Sequence, residues 1–216
     1  MSTNTVTRGA FIVFEGLDRC GNTTQTTKLV ELLKNQFGIV HEIAFPDRST
    51  ETGKLCDAYL RNKNNLNDHA IHLMFSANRW DKRQWIQNTL LAGEHIVCGR
   101  YAYSGVVYSA AKGLDRKWCK SPDIGLIEPD LVIYLKVDPT ICSTRNEYGN
   151  ERYEKEQFQQ TVKEQFEQLF EEDQYKNIKV IDGTKSIEEI SQEIAEITKV
   201  TIEKVKSEPL KHLWSE

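Results

Sequence analysis

The chain has 216 residues, enough for one sizeable core, with 28 basic and 32 acidic side chains and a formal net charge of −4. It has no basic block to neutralise a nucleic-acid backbone, and no apolar run approaches the roughly 20 residues needed to cross a bilayer. Its five cysteines form no C-x-x-C pair, so neither a zinc site nor a disulfide framework is indicated, and a reducing cytosol or nucleus fits best. The first residues, MSTNTVTRGAF, do not read as a secretory signal.

In chain order, the apolar run AFIVF (10–14) predicts a first strand, and helical spacing follows over 22–36. Further strands are predicted at 40–45, 95–99, 131–137 and 177–182, with helices over 51–61, 68–91, 102–112, 153–172 and 186–205. Asp68 and Ser186 read as N-caps, the latter with Glu189 as the partner in a capping box. No repeat, low-complexity tract or linker marks a boundary, so residues 1–216 read as one domain. Strands alternating with helices predict an α/β fold in three layers, a five-stranded parallel sheet with helices on both faces.

Between the first strand and helix lies GLDRCGNTT (16–24). A phosphate-binding loop reads G-x-x-x-x-G-K-[ST]; Gly16, Gly21 and Thr23 fit, while Asn22 stands at the lysine. The glycines let backbone N–H groups turn toward phosphate oxygens, and Thr23 offers a hydroxyl where such loops bind Mg²⁺. The alternative is a glycine-containing strand-to-helix turn with no ligand.

Three other residues invite a chemical reading. Arg48, in FPDRST, follows a strand end, where a guanidinium grips a monophosphate bidentately; alternatively it forms a surface pair with Asp47 or Glu51. Phe75 and Arg79 are one turn apart on a predicted helix, so a ring to stack on a base and a donor to its carbonyl edge share a face; the alternative is ordinary core packing. No N-K-x-D loop for a GTPase is present, nor a nucleophile, histidine and acid arranged for a hydrolase, and His72 reads as a packed helix residue.

The stretches FEGLDRCGNTTQ, FPDRST, HLMFSANRW, RYAYSGVVYSAAKG and ERYE, in this order and spacing, resemble thymidylate kinases of the eukaryotic type over nearly the whole chain. The resemblance implies a P-loop nucleoside monophosphate kinase fold, transfer from ATP to dTMP with Mg²⁺, and a homodimer. It further implies that Asp18, Phe45, Arg48, Phe75, Arg79, Arg100, Ser104, Gly105, Tyr108 and Tyr153 serve dTMP. By the same kinship Gly16, Cys20, Gly21, Asn22, Thr23, Thr24, Arg145 and Lys185 serve ATP, and Thr23 the metal. Arg19, Asp18 and Arg100 would act in catalysis, under a lid at about 144–152 that excludes water.

Two positions depart from the family pattern. Asn22 replaces the loop lysine that neutralises the donor phosphates, and Gly99 replaces the aspartate of the Asp-Arg-Tyr strand end that helps hold the magnesium shell. Lys28 lies too far along the helix to substitute. The expectation is a poor kinase with an intact dTMP pocket. Two alternatives are a dTMP-binding pseudoenzyme and an engineered inactive variant of an active enzyme.

Overall fold

The run FIVFEG becomes β1 (Phe11–Gly16), buried at every residue because its aromatic and β-branched side chains meet helices on both faces. With β2 (Val40–Ala44), β3 (His95–Gly99), β4 (Leu131–Lys136) and β5 (Ile178–Asp182) it forms a parallel sheet of order β2-β3-β1-β4-β5. The computed structural model describes residues 7–145, 148–172 and 177–215. Residue pairings such as Val13↔Cys98 and Val13↔Val132 place β1 at the centre. The edge strands β2 and β5 are only partly buried, each with a single fully buried residue, Val40 and Ile181.

The predicted helices appear as α1 (Asn22–Phe37), α2 (Glu51–Leu60), α3 (Asp68–Leu91), α4 (Ala102–Ala110), α7 (Glu156–Glu172) and α8 (Ile187–Val205). Two short helices, α5 (Arg116–Lys120) and α6 (Pro139–Ser143), and a 3₁₀ turn at Ser121–Asp123 were not predicted, since five or fewer residues carry no readable period. The predicted helix over 153–172 starts later, at Glu156, because residues 149–154 form a turn closed on the Glu154 carboxylate. The capping box at Ser186 and Glu189 forms. The α3 cap is Asn67 rather than Asp68: the Asn67 side chain accepts from His69 N–H at 2.9 Å, while Asp68 pairs with Lys112.

The buried apolar residues form one connected cluster across both faces of the sheet. Trp214 packs edge-on against Tyr103 and covers its end. His72 is buried between Ser109 Oγ (2.7 Å) and the Cys119 carbonyl (2.9 Å), and burial pushes its pKa down to about 4, so it is a neutral core residue. The strand order reverses beside β1, so the loops after β1, β2 and β3 surround one crevice at the carboxyl ends of the strands, where open α/β sheets bind ligands.

Candidate active site

That crevice is a cavity of about 460 Å³. Asp18, Asn22, Thr23, Phe45, Arg48, Phe75, Arg79, Arg100, Ser104, Gly105, Tyr108 and Tyr153 all line it, so the fold brings together residues separated by up to 135 positions.

The loop after β1 has positive φ at Gly16 (155°), Arg19 (62°) and Gly21 (110°). A Cβ at Gly16 would lie 2.6 Å from Cys20 Sγ and 3.1 Å from the Leu135 carbonyl, so a side chain is barred there. Cys20 is buried, and burial pushes its thiol pKa up to about 11, which removes it as a nucleophile. Helix α1 begins with no side-chain cap and no acidic residue in its first turn, leaving its positive end open. Both amide atoms of Asn22 are buried and lack a hydrogen-bond partner among the described residues. An orphaned donor at a helix N-terminus fits a phosphate oxygen. Thr23 and Thr24 are exposed in the same turn. Among the described residues no three His, Cys, Asp or Glu side chains converge as a metal site. The Thr23 hydroxyl is the group that fits Mg²⁺, an ion that takes most of its ligands from nucleotide phosphates and water. Lys28 extends instead toward Glu188 on α8.

Arg145 lies over the loop, its Nη1 donating to the Arg19 carbonyl at 2.5 Å. Of the predicted lid, Asn146 and Glu147 lie outside the described residues. Next in the chain, the amides of Gly149, Asn150 and Glu151 donate to Glu154 Oε2 at 2.8, 2.8 and 3.1 Å. Glu154 Oε1 accepts from Arg19 Nε at 2.8 Å, so one carboxylate ties the lid turn to the phosphate loop. Burial works to raise the Glu154 pKa, but the backbone donors and Arg19 outweigh it and hold it below the usual carboxylate range. Lys185, on the loop after β5, pairs with Glu193 at 2.8 Å and does not line the cavity.

On the opposite wall, Arg100 sits at φ 63° directly after β3. Its Nη2 donates to Asp18 Oδ1 at 2.5 Å, and its Nη1 reaches the Gly16 carbonyl (3.0 Å), Ser104 Oγ (3.2 Å) and Tyr108 Oη (3.3 Å). Burial raises the Asp18 pKa and the Arg100 guanidinium opposes it. The buried Glu15 carboxylate accepts from the backbone N–H of Tyr101 and of Ser104 and from Ser104 Oγ, capping α4 from β1. Burial raises its pKa against these donors.

Arg48 pairs with Asp57 on α2 (2.5 Å) and with Glu151 of the lid turn (2.8 Å), not with Asp47 or Glu51. Asp47 is taken by Lys82 of α3, and Glu51 points to Lys54. Tyr153 stacks on Phe158 with centroids 5.1 Å apart and meets Tyr108 at 5.4 Å, forming an aromatic wall. Gln159 donates to Asp18 Oδ2 (2.7 Å) and to the Tyr153 carbonyl (2.9 Å), linking the loop to that wall. The sequence reading missed Glu15, Asp123, Glu154 and Gln159. Glu15 and Glu154 lie inside the quoted stretches FEGLDRCGNTTQ and ERYE, whereas Asp123 and Gln159 carry no local signal.

A five-stranded parallel sheet with a Gly-rich strand-to-helix turn at its centre, opening on an arginine-lined cleft, defines the P-loop nucleoside monophosphate kinase class. The family model described as Thymidylate kinase matches residues 14–194. Relatives named thymidylate kinase include those of Danio rerio, 44% identical over 96% of this chain and 98% of its own, and Homo sapiens, 42% identical over the same shares. That of Plasmodium falciparum is 46% identical over 96% of this chain and 97% of its own. The solved thymidylate kinase of Candida albicans superposes with a TM-score of 0.84 at 36% identity, covering 95% of this chain and 98% of that one. The chain belongs to the thymidylate kinase family.

Proposed function

We propose that the chain transfers the γ-phosphoryl group of ATP to dTMP, giving ADP and dTDP. The observation that carries this reading is the convergence of Arg48, Arg100, Phe75 and Arg79 on one cleft beside the phosphate loop, in a chain of this family. Arg48 and Arg100 hold the acceptor phosphate, Phe75 and Arg79 the base, and Phe45, Ser104, Gly105, Tyr108 and Tyr153 the walls around base and sugar. A phosphate oxygen of dTMP attacks the γ-phosphorus while the bond to the β,γ-bridging oxygen breaks and ADP leaves. A phosphate monoester oxygen is already nucleophilic, so positioning and charge stabilisation suffice. Arg19 stabilises the migrating charge, Asp18 orients Arg100, and the first turn of α1 with Gly16, Cys20 and Gly21 cradles the donor phosphates. Arg145 stacks on the adenine, and Lys185 reaches ATP on leaving Glu193. Thr23 would hold Mg²⁺, which supplies positive charge to the donor phosphates.

A second reading, a protein that holds dTMP without efficient transfer, is favoured by Asn22 and Gly99, both on the donor side. A coupled ADP-release assay with ATP, Mg²⁺ and dTMP, run beside calorimetric titration of dTMP, decides between them. We expect dTMP binding with slow, dTMP-dependent release of ADP. Binding without any turnover selects the second reading, and absence of dTMP binding overturns both.

The homodimer of the family is supported by one face of α3, where Leu73 (47% exposed) and Trp80 (39%) lie seven positions apart, with Leu66 preceding them at the same spacing. Sedimentation at twice the 24.9 kDa chain mass checks it. A single domain is supported by the one connected core. A cytosolic or nuclear setting is supported by five free, buried cysteines. No helix among the described residues is long and apolar enough to cross a membrane.

A further inference from the structure

We infer that Asp123 is a positioning residue for pyrimidine selection, aiming the Arg79 guanidinium at the base from behind the cleft. The inference rests on the base-binding role of Arg79 proposed above.

Asp123 ends the 3₁₀ turn, does not line the cavity, and is 0% exposed; Arg79 is 2% exposed and does line it. Asp123 Oδ2 accepts from Arg79 Nη2 at 2.6 Å, and Oδ1 accepts from Arg79 Nε at 3.2 Å and from Ser76 Oγ at 2.7 Å. One whole edge of the guanidinium is thereby occupied, and Nη1 remains as its free corner among the described residues. The group is also packed against α4: a Cβ at Gly105 would lie 2.6 Å from Nη2 and 3.0 Å from both Cζ and Nη1, so the guanidinium occupies the space a side chain there would need. The turn that carries Asp123 is itself held to α3, since the Pro122 carbonyl accepts from Trp80 Nε1 at 2.7 Å and from Ser76 Oγ at 3.1 Å.

A buried ion pair of this kind contributes little net stability compared with apolar residues of equal volume, so its value lies in orientation. A guanidinium donates and cannot accept. Held at one edge and packed against Gly105, it offers only N–H groups to the cleft. That favours a pyrimidine with a 4-oxo group and opposes one with a 4-amino group, whose hydrogens would meet donors. A free arginine would swing aside and lose the distinction.

The test is calorimetric titration of dTMP, dCMP and 2-deoxyribose 5-phosphate into the wild-type chain, Asp123→Asn, Arg79→Met and the double variant. Asp123→Asn should weaken dTMP binding about 10-fold or more, the scale of a hydrogen bond to a charged group, and lower the dTMP-over-dCMP preference. Binding of 2-deoxyribose 5-phosphate should change less than about 2-fold, and in the Arg79→Met background Asp123→Asn should cost dTMP less than about 2-fold. Equal losses for dTMP and 2-deoxyribose 5-phosphate, or an undiminished loss in the Arg79→Met background, overturn the inference. If Arg79→Met itself leaves dTMP binding unchanged, the base-binding reading of Arg79 falls and this inference with it; if Arg79→Met weakens dTMP binding and Asp123→Asn does not, this inference alone falls. Should Asp123→Asn not fold alone, Ser76→Ala carries the test: it removes one donor from the same carboxylate and keeps both ions. A loss confined to dTMP supports the inference, and a loss shared with 2-deoxyribose 5-phosphate, or none, overturns it.

Discussion

Asn22→Lys and Gly99→Asp in one chain should raise kcat for dTMP phosphorylation by roughly 10²-fold or more while changing dTMP affinity by less than about 3-fold. The asymmetry follows from where the two residues stand. Asn22 is the first residue of α1, and its buried amide has no hydrogen-bond partner among the described residues. To a donor phosphate it can offer only a neutral hydrogen bond, where a lysine would bring a full charge. Gly99 closes β3, and a Cβ there would meet only the Ala44 Cβ at 3.6 Å and the Ile43 carbonyl at 4.0 Å, so a side chain can begin there at ordinary contact distances. Phosphoryl transfer depends on positioning and charge, and both substitutions act on charge. Because the lysine and the aspartate act on one transition state, the single variants should each recover much less than the pair. Steady-state rates of all four chains, beside calorimetric dTMP titrations, check this. An unchanged rate in the double variant would show that the two departures are not what limits turnover.

Arg48→Met should weaken dTMP about 30- to 100-fold, leave thymidine binding nearly unchanged, and shift the unfolding midpoint little. Arg48 is 39% exposed, and its partners Asp57 and Glu151 are 24% and 29% exposed, so the pairs it now makes are solvated and contribute little to stability. The same exposure lets an incoming monophosphate displace the carboxylates and take the fork of the guanidinium. Methionine keeps the apolar stem and removes the charge. Comparing dTMP with thymidine isolates the phosphate, since both carry the same base and sugar. A loss equal for the two ligands would place Arg48 outside the phosphate site.

The sheet was legible because its strands are near-continuous apolar runs, and the loop after β1 was legible because two glycines and two threonines fall at fixed offsets. Side chains that reach the cleft from strand ends could be named from FPDRST and RYAYSG. Their partners could not. Arg48 pairs with Glu151 across 103 positions, and Gln159 meets Asp18 across 141, distances at which sequence carries no pairing rule. Asp123 was invisible for a further reason: a 3₁₀ turn of three residues has no period, and its carboxylate matters only through the arginine it holds. The N-cap of α3 was misplaced by one residue because Asn67 and Asp68 are both good caps, and only the backbone decides between them.

Arg19 and Arg100 both adopt left-handed backbone conformations, at φ 62° and 63°. A side chain in that region costs roughly 1–2 kcal/mol, which a glycine would avoid. At both positions the chain carries a long cation instead, held by Glu154 in one case and Asp18 in the other. The fold thus gives up stability at two points to keep two guanidinium groups beside an anion cradle. A scaffold with no further use for phosphate would gain by relaxing there. The strain at these two residues is the thermodynamic counterpart of the anion site proposed above, beside a loop that carries Asn22.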